Sequence, residues 1–345
     1  LFIIGYLAFY FFVQTNLDYY KNELVEEISK ATNKKVTIET FDASWNITNP
    51  RFIIKDFSIY ANSSEKAFTF EKFEVDVSWM SLIKFELVLD QVTLYDLAVE
   101  IQKNSETDYL IGGWNVSYDP NSNDEFDGKL INWILNQDEV QMINAKIIWI
   151  DKTRANSPPL ILDDINLSYS TSDILSYLDR HLFYLDFFSS AGTKEKISLS
   201  GHFDADSIDE LLEADGALSF KFDALSLYAF SPWIDYPLTI KDGTGSLSIN
   251  IEFENGKLKE GGSSFSVQNL NANMIDNAKQ GLVFKDISGE FKYKLVNDDI
   301  NIILDNLFLT TNSKLQFEDS AASIKYNLKT NQINKATLVV DRFDL

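Results

Sequence analysis

The two histidines, His181 and His202, are the side chains best suited to metal ligation or general-base work. Neither has a second histidine or a cluster of carboxylates at ligand spacing. A zinc site needs three or four donors at short, fixed offsets, so a metal centre is not expected. The acidic pairs Asp163–Asp164 and Asp298–Asp299 fall where turns are predicted. There an Asp side chain bonds its own backbone and stays in water, so these read as turn residues rather than a catalytic dyad. Asn123 to Gly128 resembles a calcium loop, yet the bidentate Glu expected six residues after the glycine is Ile134. Gly243-Thr244-Gly245 lacks a third glycine and leads into a strand, which does not suit a dinucleotide phosphate. The nucleophile-elbow, zincin and phosphate-loop motifs are missing. With no cysteine in the chain, thiol nucleophiles, disulfides and thiolate metal sites are excluded. The expectation is a protein that is not an enzyme and needs no cofactor or metal.

Charge narrows the partners. Thirty basic against fifty-two acidic residues give a net charge of -22, which repels polyanions and removes the main electrostatic contribution to nucleic-acid affinity. The same acidity opposes broad docking onto an anionic lipid surface, so any membrane contact should come through a dedicated segment. Hydrophobic residues make up 45% of the 345 and aromatics 14%, with only six prolines, so the chain has a large apolar surface to bury or display.

Leu1 to Val13 reads LFIIGYLAFYFFV, without a charge. At 1.5 Å per residue it spans only ~20 Å, where a bilayer core needs about 20 residues. No small-x-small cleavage site follows, so the segment reads as an uncleaved transmembrane helix lacking some upstream residues rather than a signal peptide. Its anchoring residues are Leu1, Phe2, Ile3, Ile4, Leu7, Phe9, Phe11, Phe12 and Val13. Residues 14–33 continue as an amphipathic juxtamembrane helix. Leu17, Tyr20, Leu24 and Ile28 recur at helical spacing, and Tyr19 and Tyr20 suit the headgroup level. It reads as a cap over the end of the domain that follows, or as an element through which lipid is taken up.

From Val36 onward the pattern changes to alternation between turn residues, the mark of strands with one buried face. In Gly245–Glu254, Leu247, Ile249, Ile251 and Phe253 point one way and Ser246, Ser248, Asn250 and Glu252 the other, before a turn at Asn255-Gly256. Five segments break the alternation in the same manner: Ile54–Ile59, Leu89–Leu94, Leu162–Leu167, Phe284–Gly289 and Leu304–Leu309. Each carries apolar residues at i and i+3, so two polar residues stand where one is allowed. A one-residue slip moves every later side chain to the other face, so a bulge, bend or turn is predicted at each site to restore the apolar face. Short helical insertions are expected near 127–137, where Leu130, Ile131, Trp133, Ile134 and Leu135 cluster. A second is expected near 207–213, where Ser207 and Glu210 form a capping box.

The order of these elements resembles the AsmA-like superfamily, in particular its YhdP branch. The similarity is carried by Ala31–Ile38, then Ala43-Ser44-Trp45, then Pro50–Phe57. It continues with Val77-Ser78-Trp79-Met80-Ser81-Leu82, Phe85–Leu94, Trp133–Gln137, Ala145–Asp151 and Pro158–Ile165. Asn33 stands where a helix-ending glycine is usual, which the left-handed tolerance of Asn allows, and Asn132 replaces an Asp before Trp133.

The resemblance implies a mainly β fold: a long, curved, repetitive antiparallel sheet over residues 34–345 forming an elongated hydrophobic groove, behind an N-terminal transmembrane helix. It further implies a single-pass protein of the bacterial inner membrane, with the β-domain in the periplasm. The implied cargo is phospholipid or another acyl-chain lipid moving towards the outer membrane, with an outer-membrane partner contacted by a further C-terminal part. On that reading the groove is lined by Phe73, Val75, Val77, Leu87, Leu89, Leu247, Ile249, Ile251, Phe253, Phe284, Ile302 and Leu304. Two alternatives share the architecture: an interaction protein assisting outer-membrane polypeptides through strand edges, and a sealed β-structure acting as a passive tether.

Overall fold

The computed structural model describes residues 11, 14–46, 49–60, 66–78, 81, 89–112, 114–117, 135–155, 157–172, 180–192, 195–205, 210, 213–236, 238–274, 277–296, 299–311, 316–330, 332–339 and 342–344. Its contacts divide the chain into two compact units, Leu1–Asp173 and Ile174–Leu345.

The first unit opens with a 3-10 turn, Gln14–Asn16, that runs into helix α1, Leu17–Thr32. Asn33 ends α1 in the left-handed conformation with φ 50°, the geometry that releases the chain from a helix. Ten strands follow: β1 Val36–Thr37, β2 Thr40–Asn46, β3 Asn49–Tyr60, β4 Lys66–Val77, β5 Leu89–Tyr95, β6 Ala98–Lys103, β7 Asp108–Ile111, β8 Trp114–Ser117, β9 Glu139–Asp151 and β10 Leu160–Ser172. β1 and β2 both pair with β3, which pairs with β4. β4 in turn pairs with β5 and β6, all antiparallel. β9 then lies parallel to both β5 and β6 before pairing antiparallel with β10. The sheet is antiparallel as expected, apart from the parallel seating of β9 beside β5 and β6. Alternation within a strand reports which face is buried and carries no information on direction. The long connection from β6 to β9, with the β7–β8 hairpin inside it, lets the chain return to the same end of the sheet.

The second unit is an antiparallel run in sequence order: β11 Arg180–Ser189, β12 Ile197–Asp204, β13 Asp215–Ser226, β14 Leu238–Glu254, β15 Lys257–Met274, β16 Asn277–Val296, β17 Asp299–Thr311 and β18 Gln316–Asn327. β19 Gln332–Val339 and β20 Arg342–Asp344 both pair with the far edge of β18. A short helix α2, Leu227–Phe230, interrupts the meander after β13; the Ser226 hydroxyl caps it by accepting from the Ala229 amide at 3.2 Å. Asn255 and Gly256, at φ 50° and 65°, make the tight β14–β15 turn.

Each unit has a core on one face of its sheet. In the first, buried Val36, Ile38, Phe57, Ile59 and Phe70 gather Leu24, Val25 and Ile28 of α1, together with Ile54, Phe73 and Leu94. Burying a side chain of this size stabilises by about 1.5–3 kcal/mol, which is ample to hold α1 against β1 to β4. In the second, Ile240, Leu270 and Ala272 are covered by Leu227 of α2 and by Tyr236. Among the described residues each strand's main contacts are with its ladder neighbours and, locally, with α1 or α2.

The expected transmembrane segment falls on residues 1–13, of which only Phe11 is described, helical and 63% exposed. Among the described residues no helix is long and apolar enough to cross a membrane. The expected helical insertions also lie largely outside the described residues. Of the first, only Leu135 to Gln137 is described, with Leu135 and Gln137 buried; of the second, only Glu210 and Glu213.

Candidate functional site

The apolar face is built row by row from strand register, because residues paired across a ladder share a face. In the second unit Leu218 pairs with Ile251, Ile251 with Gly261, Gly261 with Tyr293, Tyr293 with Ile302 and Ile302 with Ile324. The next row runs Leu199, Phe220, Ile249, Ser263, Phe291, Leu304. The alternate rows hold Ser219, Asn250 and Lys292. Along β14 exposure follows this alternation: Ile249, Ile251 and Phe253 are half-buried, while Asn250, Glu252 and Glu254 are exposed.

Glycines make this face smooth. A Cβ on Gly261 would sit 2.7 Å from the Tyr293 hydroxyl oxygen, and one on Gly216 would sit 2.6 Å from the Phe253 ring. The missing side chain lets each aromatic ring settle over its cross-strand partner.

Left-handed residues keep the face apolar along the strands. Asp56, Asp164 and Asn306, each the third residue of a predicted slip, have φ of 52°, 48° and 52°. The ladder shifts register beside two of them, at Leu162/Ile165 and Leu304/Leu307. The two other slips are register shifts without a left-handed residue in the segment, at Phe284/Asp286 and at Asp76/Val77 opposite Leu89. Before the Asn306 bulge the inward residues are Ile302 and Leu304; after it Leu309 pairs with Ile287, itself packed on the second core. The bulges line up on neighbouring strands. Ala224, Gly243 and Asn269 cross β13 to β15 in the second unit, and in the first Asp96, in the bend between β5 and β6, lines up with Asn144 on β9 and Asp164 on β10. Side-chain amides tie the latter: Asn144 donates to Asp96, and the Asn144 backbone N–H donates to the Asn166 side-chain oxygen at 3.1 Å. Asp96, Asn144, Ala224, Gly243 and Asn269 lie outside the five segments identified from alternation, and the Asx residues among them were a signal that could have found them.

The twelve residues expected to line a groove can now be placed. Phe73, Val75 and Val77 on β4 and Leu89 on β5 share the face of the first core. Leu247, Ile249, Ile251, Phe253, Ile302 and Leu304 share one face in the second unit, and Phe284 packs on its core. Leu87 lies outside the described residues.

The opposite face carries most of the charged side chains, with Leu182, Tyr184 and Ile303 exposed among them, and in the first unit several of its charges are paired. Arg51 grips Asp76 through two bonds of 2.5 and 2.7 Å, and Tyr95 donates to Glu74 at 3.1 Å. The Lys72 ammonium is 3.3 Å from Glu74 and 3.8 Å above the Tyr95 ring. The bond to Asp76 raises the Arg51 pKa, and partial burial followed by the Glu74 charge raises that of Tyr95. A guanidinium and an ammonium satisfied by carboxylates, beside a phenol made harder to ionise, supply no nucleophile and base pair. A shallow cleft of about 900 Å³ crosses the polar rows of β12 to β17, over Ala217, Ser219 and Gly262 between Glu252, Glu260, Lys292 and Lys294. Its Lys294 is held by Glu260 at 2.5 Å.

The histidines are separate. His181 is 1% exposed, stacked on Phe203 at 4.8 Å with Nε2 2.5 Å from the Ala205 carbonyl oxygen, whereas His202 lines the cleft. Among the described residues no three His, Cys, Asp or Glu side chains are grouped so as to hold a metal ion.

Two cavities adjoin at Phe41, between α1 and the first strands. One, of about 560 Å³, is walled by Tyr20, Leu24, Phe41 and Phe52 with Glu23 and Glu27 at its rim. The other, of about 490 Å³, is polar and includes Asp18, Lys21, Glu39 and Asp42.

No curated protein matches the chain. The sequence model of a family described as YhdP protein matches residues 1–344. Because that match runs through both units and takes in the helix, the slips and the one-sided strands from which the apolar face is built, the chain belongs to the YhdP family.

Proposed function

We propose that this protein is an inner-membrane-anchored periplasmic carrier, not an enzyme, which conducts phospholipid along its apolar sheet face towards the outer membrane and so supports the lipid balance of that membrane. The observation that carries this reading is the set of apolar rows that run across neighbouring strands of each unit. In each unit most of the apolar residues of neighbouring strands fall into shared rows on one face. Such a face solves the physical problem of a lipid in water. Each exposed methylene costs ~0.8 kcal/mol, so a palmitoyl-length chain faces on the order of 12 kcal/mol unless it stays covered. The glycine-seated rings and half-buried aliphatics of β13 to β17 offer that cover, with Ser263 and the Tyr293 hydroxyl the polar groups in these rows, while a headgroup remains in water at the sheet edge. Membership of the YhdP family is consistent with this role. The chain carries no energy-coupling motif, so movement is diffusive or driven by a partner.

A photo-crosslinking amino acid at Ile249 or Val77, in cells, tests the reading. Phospholipid adducts at both positions are expected. Adducts to polypeptide alone would overturn it in favour of a protein-handling role.

A further inference from the structure

The two cavities at Phe41 differ in chemistry and share a wall. The larger presents Tyr20 and Leu24 of α1 to the Phe41–Phe52 pair, whose rings stack at 5.9 Å and 15°. The smaller is lined by backbone and polar side chains, with Lys21 as its only cation; the Lys21 ammonium donates to the Glu39 carbonyl oxygen at 3.3 Å. A shallow apolar cleft opening beside a polar one is the shape of an amphiphile site.

The charges select among amphiphiles. Glu23 and Glu27, one turn apart on α1, edge the apolar cleft, and Asp18, Glu39 and Asp42 surround Lys21 in the polar one. Glu23 has no cationic partner among the described residues, while Glu27 shares Lys30 with Glu26. A headgroup placed here meets the Lys21 ammonium, the Lys55 ammonium 3.9 Å from Asp42, and a larger number of carboxylates. A phosphate alone is repelled on balance; a phosphate that carries its own ammonium is accommodated by Lys21 on one side and the acidic rim on the other. We infer that the pocket between α1 and strands β2 and β3 is a loading site for a zwitterionic, ammonium-bearing phospholipid, holding an acyl chain against Phe41 and Phe52 and discriminating against purely anionic lipids. This rests on the carrier reading and adds to it a place of uptake and a headgroup class. The overall charge of -22 acts in the same direction at long range.

The test uses the full chain with a benzoylphenylalanine at Phe52, and separately at Tyr20, which is 38% exposed. A third protein carries the probe at Ile249. Each is irradiated with vesicles of equimolar phosphatidylethanolamine and phosphatidylglycerol of matched chains. Adducts at Phe52 and Tyr20 are expected to favour the ethanolamine lipid about threefold, the effect of one or two exposed ion pairs. Glu23→Gln with Glu27→Gln should lower that ratio, with Asp18, Glu39 and Asp42 still in place, and leave capture at Ile249 unchanged. Equal capture of both lipids at Phe52 and Tyr20 in the unmodified rim overturns the selectivity. Capture at Ile249 with none at Phe52 or Tyr20 overturns the loading site and leaves the carrier intact; no lipid at any position removes the carrier reading and this one with it.

Discussion

At the residue scale, the decisive positions are those that adopt a backbone conformation most side chains avoid. Asp56, Asn144, Asp164, Asn269 and Asn306 are all left-handed, and each is an Asx residue, the type whose short polar side chain best tolerates that region. Ala224 is the exception, at φ 51° with neither an Asx group nor a glycine's freedom. Its amide donates to the Ser246 hydroxyl at 3.1 Å, which holds the bulge in place. Ala224→Gly should therefore raise stability by about 0.5–1 kcal/mol, because the relief of left-handed strain exceeds the added freedom of the unfolded chain. Ala224→Val should lower it by more than that, since a β-branched residue fits the region worst. Urea midpoints of the three proteins check the order, and a less stable Gly variant would show that the bulge is not strained.

At the scale of elements, strands are fastened on the polar face by ion pairs across the ladder. Arg180 on β11 grips Asp204 on β12 through bonds of 2.8 and 2.9 Å, and Lys325 on β18 reaches Asp299 on β17 at 2.9 Å. The bond from Arg180 holds the Asp204 carboxyl below its usual pKa, and the bond from Lys325 does the same for Asp299. A depressed folded-state pKa means stability that is fully present above the unfolded value of about 3.9 and is lost as pH falls through the folded one. Because the Arg180 side chain is half exposed, the Asp204 pair contributes only about 0.5–1 kcal/mol. Asp204→Asn is expected to melt below the parent protein at pH 7 and to melt with it near pH 2, as measured by circular dichroism. A gap that persists at the acid end would assign the effect to packing instead of charge.

At the scale of the molecule, the property to test is an apolar face left open in the native state. Monomeric proteins rarely display apolar patches beyond a few hundred Å², and larger ones mark binding surfaces. The delipidated protein should bind the neutral dye Nile red saturably under native conditions, and a lysophospholipid should displace it. A closed sandwich would give neither signal. A neutral dye is required because the charge of -22 repels anionic probes whatever the state of the face.

Much of this was legible from residue order. Period-two alternation in Gly245–Glu254 identifies an inward row because the pleat alone determines where successive side chains point. The double-polar slips at Leu162–Leu167 and Leu304–Leu309 locate bulges because only a local irregularity reconciles them with a single apolar face, and register shifts stand beside left-handed Asp164 and Asn306; at Ile54–Ile59 Asp56 is left-handed while the β3–β4 register runs on unbroken across it. The absence of a thiol and of ligand-spaced histidines is likewise a matter of sequence. Other features depend on what lies across the ladder. The parallel seating of β9 beside β5 and β6 follows from the path of a long connection, which alternation does not encode. The alignment of Ala224, Gly243 and Asn269 on adjacent strands is a product of register. So is the placing of rings over Gly216 and Gly261. The paired cavities at Phe41 exist only because Leu24, Val25 and Ile28 of α1 settle on the first core, a contact between segments whose meeting is set by packing rather than by any local pattern.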